Sequence, residues 1–166
     1  AYGRMFEEAL DPSSRLYAFQ PQAVLVILDW EGLAPRGEGI LAQQQAEVAL
    51  ERVHQLLAAL KQHTSSLIVL SNFIAHDLFP FALVPDPMAV AYQQLNTALR
   101  AAYGQDPQVL LLDLDSLAAY HGRARCIDPS LRYLAGMNMS ESFLQQVSRK
   151  CLAVLNALVG RARKCL

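Results

Sequence analysis

The stretch that decides the fold is Ser66–Phe73, "SLIVLSNF". Leu67 to Ser71 is a short, continuous apolar run rich in β-branched residues, and it gives way at once to polar ones. A run of that length without alternation reads as a strand buried on both faces. Upstream, Ile40–Gln62 carries Leu41, Val48, Val53, Leu56, Leu57 and Leu60 at helical spacing, with Gln, Glu and Lys between them. Further upstream, "AVLVILD" (Ala23–Asp29) repeats the strand pattern, and Tyr2–Leu10 reads as a helix. Downstream, Pro80, Pro85 and Pro87 mark an irregular connection, because proline continues neither a central strand nor a helix interior. Ala89–Tyr103 is a helix stopped by Gly104, and "QVLLLDLD" (Gln108–Asp115) is a third strand. Ser140–Cys165 is a final helix, with Phe143, Leu144, Val147, Cys151, Val154, Leu155 and Leu158 as its inner stripe.

Strands that alternate with helices imply a parallel sheet with right-handed crossovers. The expected class is α/β with a mainly parallel sheet. Leu25, Ile27, Val69 and Leu111 should be buried in adjacent strands, flanked by the helices from Ile40 and Ser140. Three strands are few for 166 residues, so a strand or two is expected before Ala1. The final helix meets no stop signal, and the chain reads as a domain cut from a larger protein.

Composition narrows the function classes. Hydrophobic residues make up 53% and charged residues 17%, which excludes a disordered chain. A net charge of −1 advertises neither nucleic acid nor an anionic membrane surface as partner. No run reaches the roughly 18 apolar residues of a membrane span, and no secretory signal opens the sequence. Cys126, Cys151 and Cys165 are an odd set without metal-ligand spacing. Reduced thiols and a cytoplasmic location are therefore expected.

Parallel sheets bind ligands at the carboxyl ends of their strands. Three polar clusters fall there: Asp29-Trp30-Glu31, Ser71-Asn72, and Asp113 with Asp115. The Asp-Leu-Asp pair could supply a nucleophile and an acid, but Leu117 and Ala118 follow where a phosphatase motif has other residues. Asp115, just before "SLAAY", reads instead as a helix cap. Ser71 lacks the glycine of a nucleophile elbow. His76 and Asp77 adjoin, so their side chains diverge rather than form a relay. His54 and His63 read as surface positions on the long helix, and His121 as a helix-end residue.

"YGRMFEEALDPSSRLYAFQPQAVLVILD", "LIVLSNF", "LLLDLDSLAAYHGRARCIDPSLRYLAGMNMSESF" and "ARKCL" occur in the order of four blocks of FkbH-like proteins. The chain resembles the N-terminal part of that family along nearly its whole length. Asp128, Arg132, Tyr133 and Met137 give the most specific spacing. The resemblance implies a three-layer flavodoxin-like domain of the SGNH-hydrolase type spanning 1–166, truncated on its N-terminal side. It also implies a magnesium-dependent haloacid-dehalogenase (HAD) phosphatase domain beyond residue 166. Neither a metal site nor a cofactor is expected within the segment itself. Many family members load a glyceryl unit onto an acyl carrier protein in polyketide pathways. The HAD domain and an acyl carrier protein are thus the implied partners.

Carried over residue by residue, the SGNH motifs are incomplete. Asn72 takes the oxyanion-donor position, Ser71 stands near the variable position of that block, and Phe73 replaces its aspartate. Asp128 fits the acid, but Leu131 stands where the histidine should be. Gly136, Met137 and Asn138 replace the usual Lys-Met-Pro. A triad without its base loses nearly all of its general-base rate. The favoured expectation is a recognition domain without catalysis of its own, with Ser71, Asn72, Asp128 and Arg132 as candidate substrate- or carrier-binding residues. The competing expectations are an active esterase or acyltransferase, and a plain structural domain. A further expectation places Asn72 and Arg132 on one edge of the sheet, both at least partly open to solvent.

Overall fold

The structure is a computed structural model and describes residues 3–34, 41–75, 86–128, 139–158 and 160. Contacts divide the chain into two compact units, Ala1–Asp113 and Leu114–Leu166.

The first unit holds α1 (Gly3–Leu10), α2 (Arg15–Ala18), β1 (Ala23–Val26), α3 (Trp30–Leu33), α4 (Ala42–His63), β2 (Leu67–Ser71), α5 (Pro87–Tyr103) and β3 (Val109–Leu112). The three strands are parallel, in the order β1-β2-β3. Leu25 is in register with Val69, and Val69 with Leu110. The fold is α/β with a parallel sheet, as the alternation of strands and helices predicts, and it is consistent with the flavodoxin-like class that the resemblance implies. β2 is the central strand, and its four residues Ile68–Ser71 are all buried.

Alternation along the strands splits the sheet into two faces. Val26, Ile68, Leu70 and Val109 belong to the face that shares one core with Val53, Leu56, Leu57 and Leu60 of α4 and Leu95 and Leu99 of α5. Met5 and Phe6 of α1 and Leu16 and Tyr17 of α2 pack against that same core. α1 also packs on α4, and α4 on α5. Burying such a leucine contributes about 1.5–3 kcal/mol. α5 starts where its sequence says it can. The Asp86 carboxylate accepts the Met88 N–H at 2.9 Å, and Pro87 occupies the first helical position. Pro87 therefore opens a helix and does not belong to the irregular connection.

Three core expectations are corrected, the first of them Ile27, which is only half-buried and lies one residue past the end of β1. Leu25 is 47% exposed, because β1 lies at the edge of the described sheet and Leu25 points to the face away from α4. Leu111 is only half-buried.

The second unit holds α6 (Leu114–His121), α7 (Arg123–Cys126) and α8 (Glu141–Leu158). Gly122, with a φ of 87°, makes the left-handed step between α6 and α7. Ile127 and Met139 form an isolated antiparallel bridge. Phe143, Val147 and Cys151, spaced four apart, are the buried row of α8. Leu155 and Leu158 are exposed, so the inner stripe is shorter than its sequence implies. Cys126 and Cys151 are free, buried thiols, and Cys165 lies outside the described residues.

Candidate functional site at the carboxyl edge of the sheet

The carboxyl ends of β2 and β3 are joined by more than the strand ladder. The Asn72 N–H donates to the Leu112 carbonyl at 3.2 Å, extending the pairing one residue past β2. The Asn72 Nδ2 then donates to Asp113 Oδ1 at 2.7 Å. The other oxygen, Asp113 Oδ2, accepts from Arg100 Nη2 at 3.3 Å. Arg100 and Asp113 are exposed enough that this ion pair contributes only about 0–1 kcal/mol.

Asn96 of α5 holds the chain that leaves β2. Its Oδ1 accepts the Phe73 N–H at 2.9 Å, and its Nδ2 donates to the Phe73 carbonyl at 2.7 Å. The amide thus imitates a neighbouring strand, satisfying a backbone pair that the ladder no longer reaches. The Phe73 ring stacks with Tyr92, and Trp30 meets both rings edge-on. Tyr92, Asn96 and Arg100 form one i, i+4 row of α5, and each touches the carboxyl edge. A cleft of about 270 Å³ lies here, walled by Asn72, Asn96, Arg100, Asp113, Leu99 and Leu111.

Ser71 turns the other way. It is 0% exposed, and its Oγ accepts the Leu28 N–H at 2.8 Å. The hydroxyl therefore serves the backbone just beyond β1 and is not presented to a ligand.

The two aspartates of Asp-Leu-Asp do not converge. Asp113 meets Asn72 and Arg100, whereas the Asp115 carboxylate pairs through both oxygens with the Arg123 guanidinium. α6 begins at Leu114, so Asp113 holds the position before the helix and Asp115 is inside its first turn. The reading of Asp115 as the cap is corrected accordingly. His54 is half-buried and bonds the Tyr103 hydroxyl, and His63 lies edge-on to Tyr17, so neither is a plain surface residue. His121 closes α6 as expected and lies edge-on to Phe143.

Asp128 belongs to the second unit and is half-buried. Arg132, Leu131, His76 and Asp77 lie outside the described residues. The expectation that Asn72 and Arg132 share an edge therefore falls outside them too, and the expectation that Asn72 is partly open to solvent is corrected, because its amide and N–H are engaged by Asp113 and Leu112 and the residue is buried. Sequence reasoning missed Asn96 and Arg100. The available signal was a polar residue four after Tyr92, set between Leu95 and Leu99 on an otherwise apolar helix stripe.

Among the described residues, no three His, Cys, Asp or Glu side chains come together to hold a metal ion. No described helix is long and apolar enough to cross a membrane.

The fold is similar to the crystal structure of the N-terminal part of the protein BF1531 from Bacteroides fragilis, which contains a phosphatase domain and is complexed with Mg. The TM-score is 0.74 at 16% identity, over 95% of this chain and 43% of that one. The chain thus spans less than half of that solved protein. No curated protein sequence matches it. The family described as FkbH, N-terminal domain, matches residues 1–156, and the chain belongs to that family.

Proposed function

We propose that this chain is the recognition domain of an FkbH-like protein and holds an acyl carrier protein or its glyceryl substrate for an attached HAD phosphatase domain. The observation that carries this reading is the family match over residues 1–156. The similarity to 43% of a Bacteroides chain that contains a phosphatase domain supports a multidomain parent. A non-catalytic role is supported by Ser71, whose hydroxyl is closed to solvent and held by the Leu28 amide. Leu131 in place of the expected histidine supports the same reading.

Asn72, Asp128 and Arg132 are the side chains assigned to recognition. Arg132 offers a planar fork suited to a phosphate or carboxylate, such as a phosphopantetheine arm carries. Asn72 is buried with its amide donated to Asp113, so its part in recognition is to hold the strand end rather than to offer an open donor. The test uses the full-length protein, with carrier loading followed by intact mass. Arg132→Ala should slow loading several-fold while the melting temperature moves by no more than a few degrees. Unchanged loading would leave Arg132 without a role in recognition. The same full-length protein should leave short acyl esters unhydrolysed. Hydrolysis abolished by Ser71→Ala or Asp128→Ala would instead establish an esterase.

A further inference from the structure

The cleft between α5 and the exits of β2 and β3 lies wholly within the first unit, and its walls carry two opposite charges held to very different degrees. Asp113 is fixed. Its Oδ1 accepts from the buried Asn72 amide at 2.7 Å, and the Asn72 N–H is tied to the Leu112 carbonyl. The carboxylate is thereby oriented, with Oδ2 toward Arg100. Arg100 is loose. It stands in the last turn of α5 with 71% of its side chain exposed, and a single N–H reaches Asp113, at 3.3 Å. Its guanidinium makes no second hydrogen bond among the described residues. Arg123 shows what a closed pair looks like, since it engages both oxygens of Asp115. Arg100, by contrast, keeps most of its planar fork of donors unspent.

The charges decide what the cleft can take. A lone carboxylate or phosphate drawn to Arg100 would stand against Asp113, and a lone amine drawn to Asp113 would stand against Arg100. Either ligand takes one member of the pair and leaves the other without its counter-charge, which works against binding. A ligand that bears both charges meets neither penalty. Its carboxylate takes the Arg100 fork in the two-pronged geometry that Asp113 does not fill, and its ammonium replaces Arg100 at Oδ2. One weak pair is exchanged for two charge-assisted ones. Parting the original pair costs little, because an ion pair so exposed contributes little.

The rest of the cleft sets the size. Asn96 spends both ends of its amide on the Phe73 backbone, so the charged pair is left to do the recognising. Leu99, Leu111 and Leu112 supply an apolar floor. The volume of about 270 Å³ falls just below the usual range of small-molecule pockets, about 300–1,000 Å³. The ligand is therefore small, with room for a short apolar or hydroxylated side chain and no more.

We propose that this cleft binds a small zwitterion, an α-amino acid with a short side chain, whose carboxylate sits on Arg100 and whose ammonium sits on Asp113. The site is independent of the carrier reading, since neither Asp128 nor Arg132 takes part in it.

The test is an NMR titration of the full-length protein with glycine, alanine and serine, following the Asn72 side-chain amide and the Arg100 Nε–H. Both signals should shift saturably with at least one of the three. Propionate and ethylamine, which carry one charge each, should bind at least about tenfold more weakly, and so should lactate, whose hydroxyl stands where alanine has its ammonium. Arg100→Gln touches no ladder bond. It should weaken the amino acid about tenfold or more and leave the melting temperature nearly unchanged. Asp113→Asn should turn the preference over, so that propionate gains and alanine loses. No shift with any of the three amino acids would overturn the proposal. Lactate or propionate binding as tightly as alanine would overturn it too, because the cleft would then be a plain anion site. An affinity unchanged by Arg100→Gln would place the ligand elsewhere on the protein and overturn it as well.

Discussion

The Asn72 side-chain amide donates to Asp113 Oδ1 at 2.7 Å, so the ends of two neighbouring strands are tied by an amide and a carboxylate. Asn72 is buried and Asp113 half-buried. Asn72→Asp would set two carboxylates against each other. The variant should lose about 1–3 kcal/mol of stability at pH 7, and recover much of it near pH 4. Adding Asp113→Asn should restore stability at pH 7. Urea denaturation of the three proteins at both pH values checks this, and a variant equally unstable at both would show that charge is not the cause.

Ser71→Ala removes the acceptor for the Leu28 N–H and leaves that donor buried. A loss of about 1–3 kcal/mol is expected, with exchange at the Leu28 amide accelerated more than at Val24. A neutral substitution would mean that water replaces the hydroxyl there.

Lys61 pairs with Asp106. The Lys61 hydrogen bond, helped by the Gln108 N–H, holds the Asp106 carboxyl below its ordinary value of 3.8. A depressed folded value stabilises the fold above the unfolded value, and the effect is lost as pH falls through the folded one. Lys61→Met should therefore lower stability at pH 6 and leave it nearly unchanged near pH 2. Denaturation curves across that range decide it, and parallel curves for the two proteins would contradict it.

Burial pushes the Cys126 and Cys151 thiols up, against a smaller opposing pull from Arg123 on Cys126. Fewer thiolates means slower attack on a disulfide reagent. In a Cys165→Ser background at pH 8, the folded protein should show no fast-reacting thiol, and the unfolded protein two. A fast thiol in the folded protein would contradict the burial.

The central strand was legible because a strand flanked on both sides needs an unbroken apolar run, and Leu67–Leu70 is one. β1 carries the same kind of run, yet Leu25 is exposed. Side-chain polarity records what a strand is fit to be covered by, not which neighbour lies beside it. The reading of Asp115 as a cap at the end of a strand failed for a different reason. In a strand, residues two apart share a face, but α6 begins at Leu114 and the period changes from two to about 3.6. The two carboxylates then diverge. Asn96 and Arg100 were invisible because a polar residue on a helix is ordinarily solvated. Only its place on the Tyr92 row marks Asn96 as a backbone partner.

The opposite, amino edge of the sheet is bound in another way. Gln108 Nε2 donates to the carbonyls of Thr64 and Ser66, the Ser66 hydroxyl donates to the Pro21 carbonyl, and the Gln108 N–H donates to Asp106. Here side chains grip main chain in all three strand entries, so strand alignment is set before the chain reaches its carboxyl ends. The Asn72–Asp113–Arg100 chain, by contrast, links side chain to side chain. Of its three members only Arg100 is largely exposed, so a substitution of Arg100 alters surface without touching the ladder. Replacing Gln108 by a residue without an amide should therefore loosen the alignment of all three strand entries, whereas replacing Arg100 should leave the strands in register.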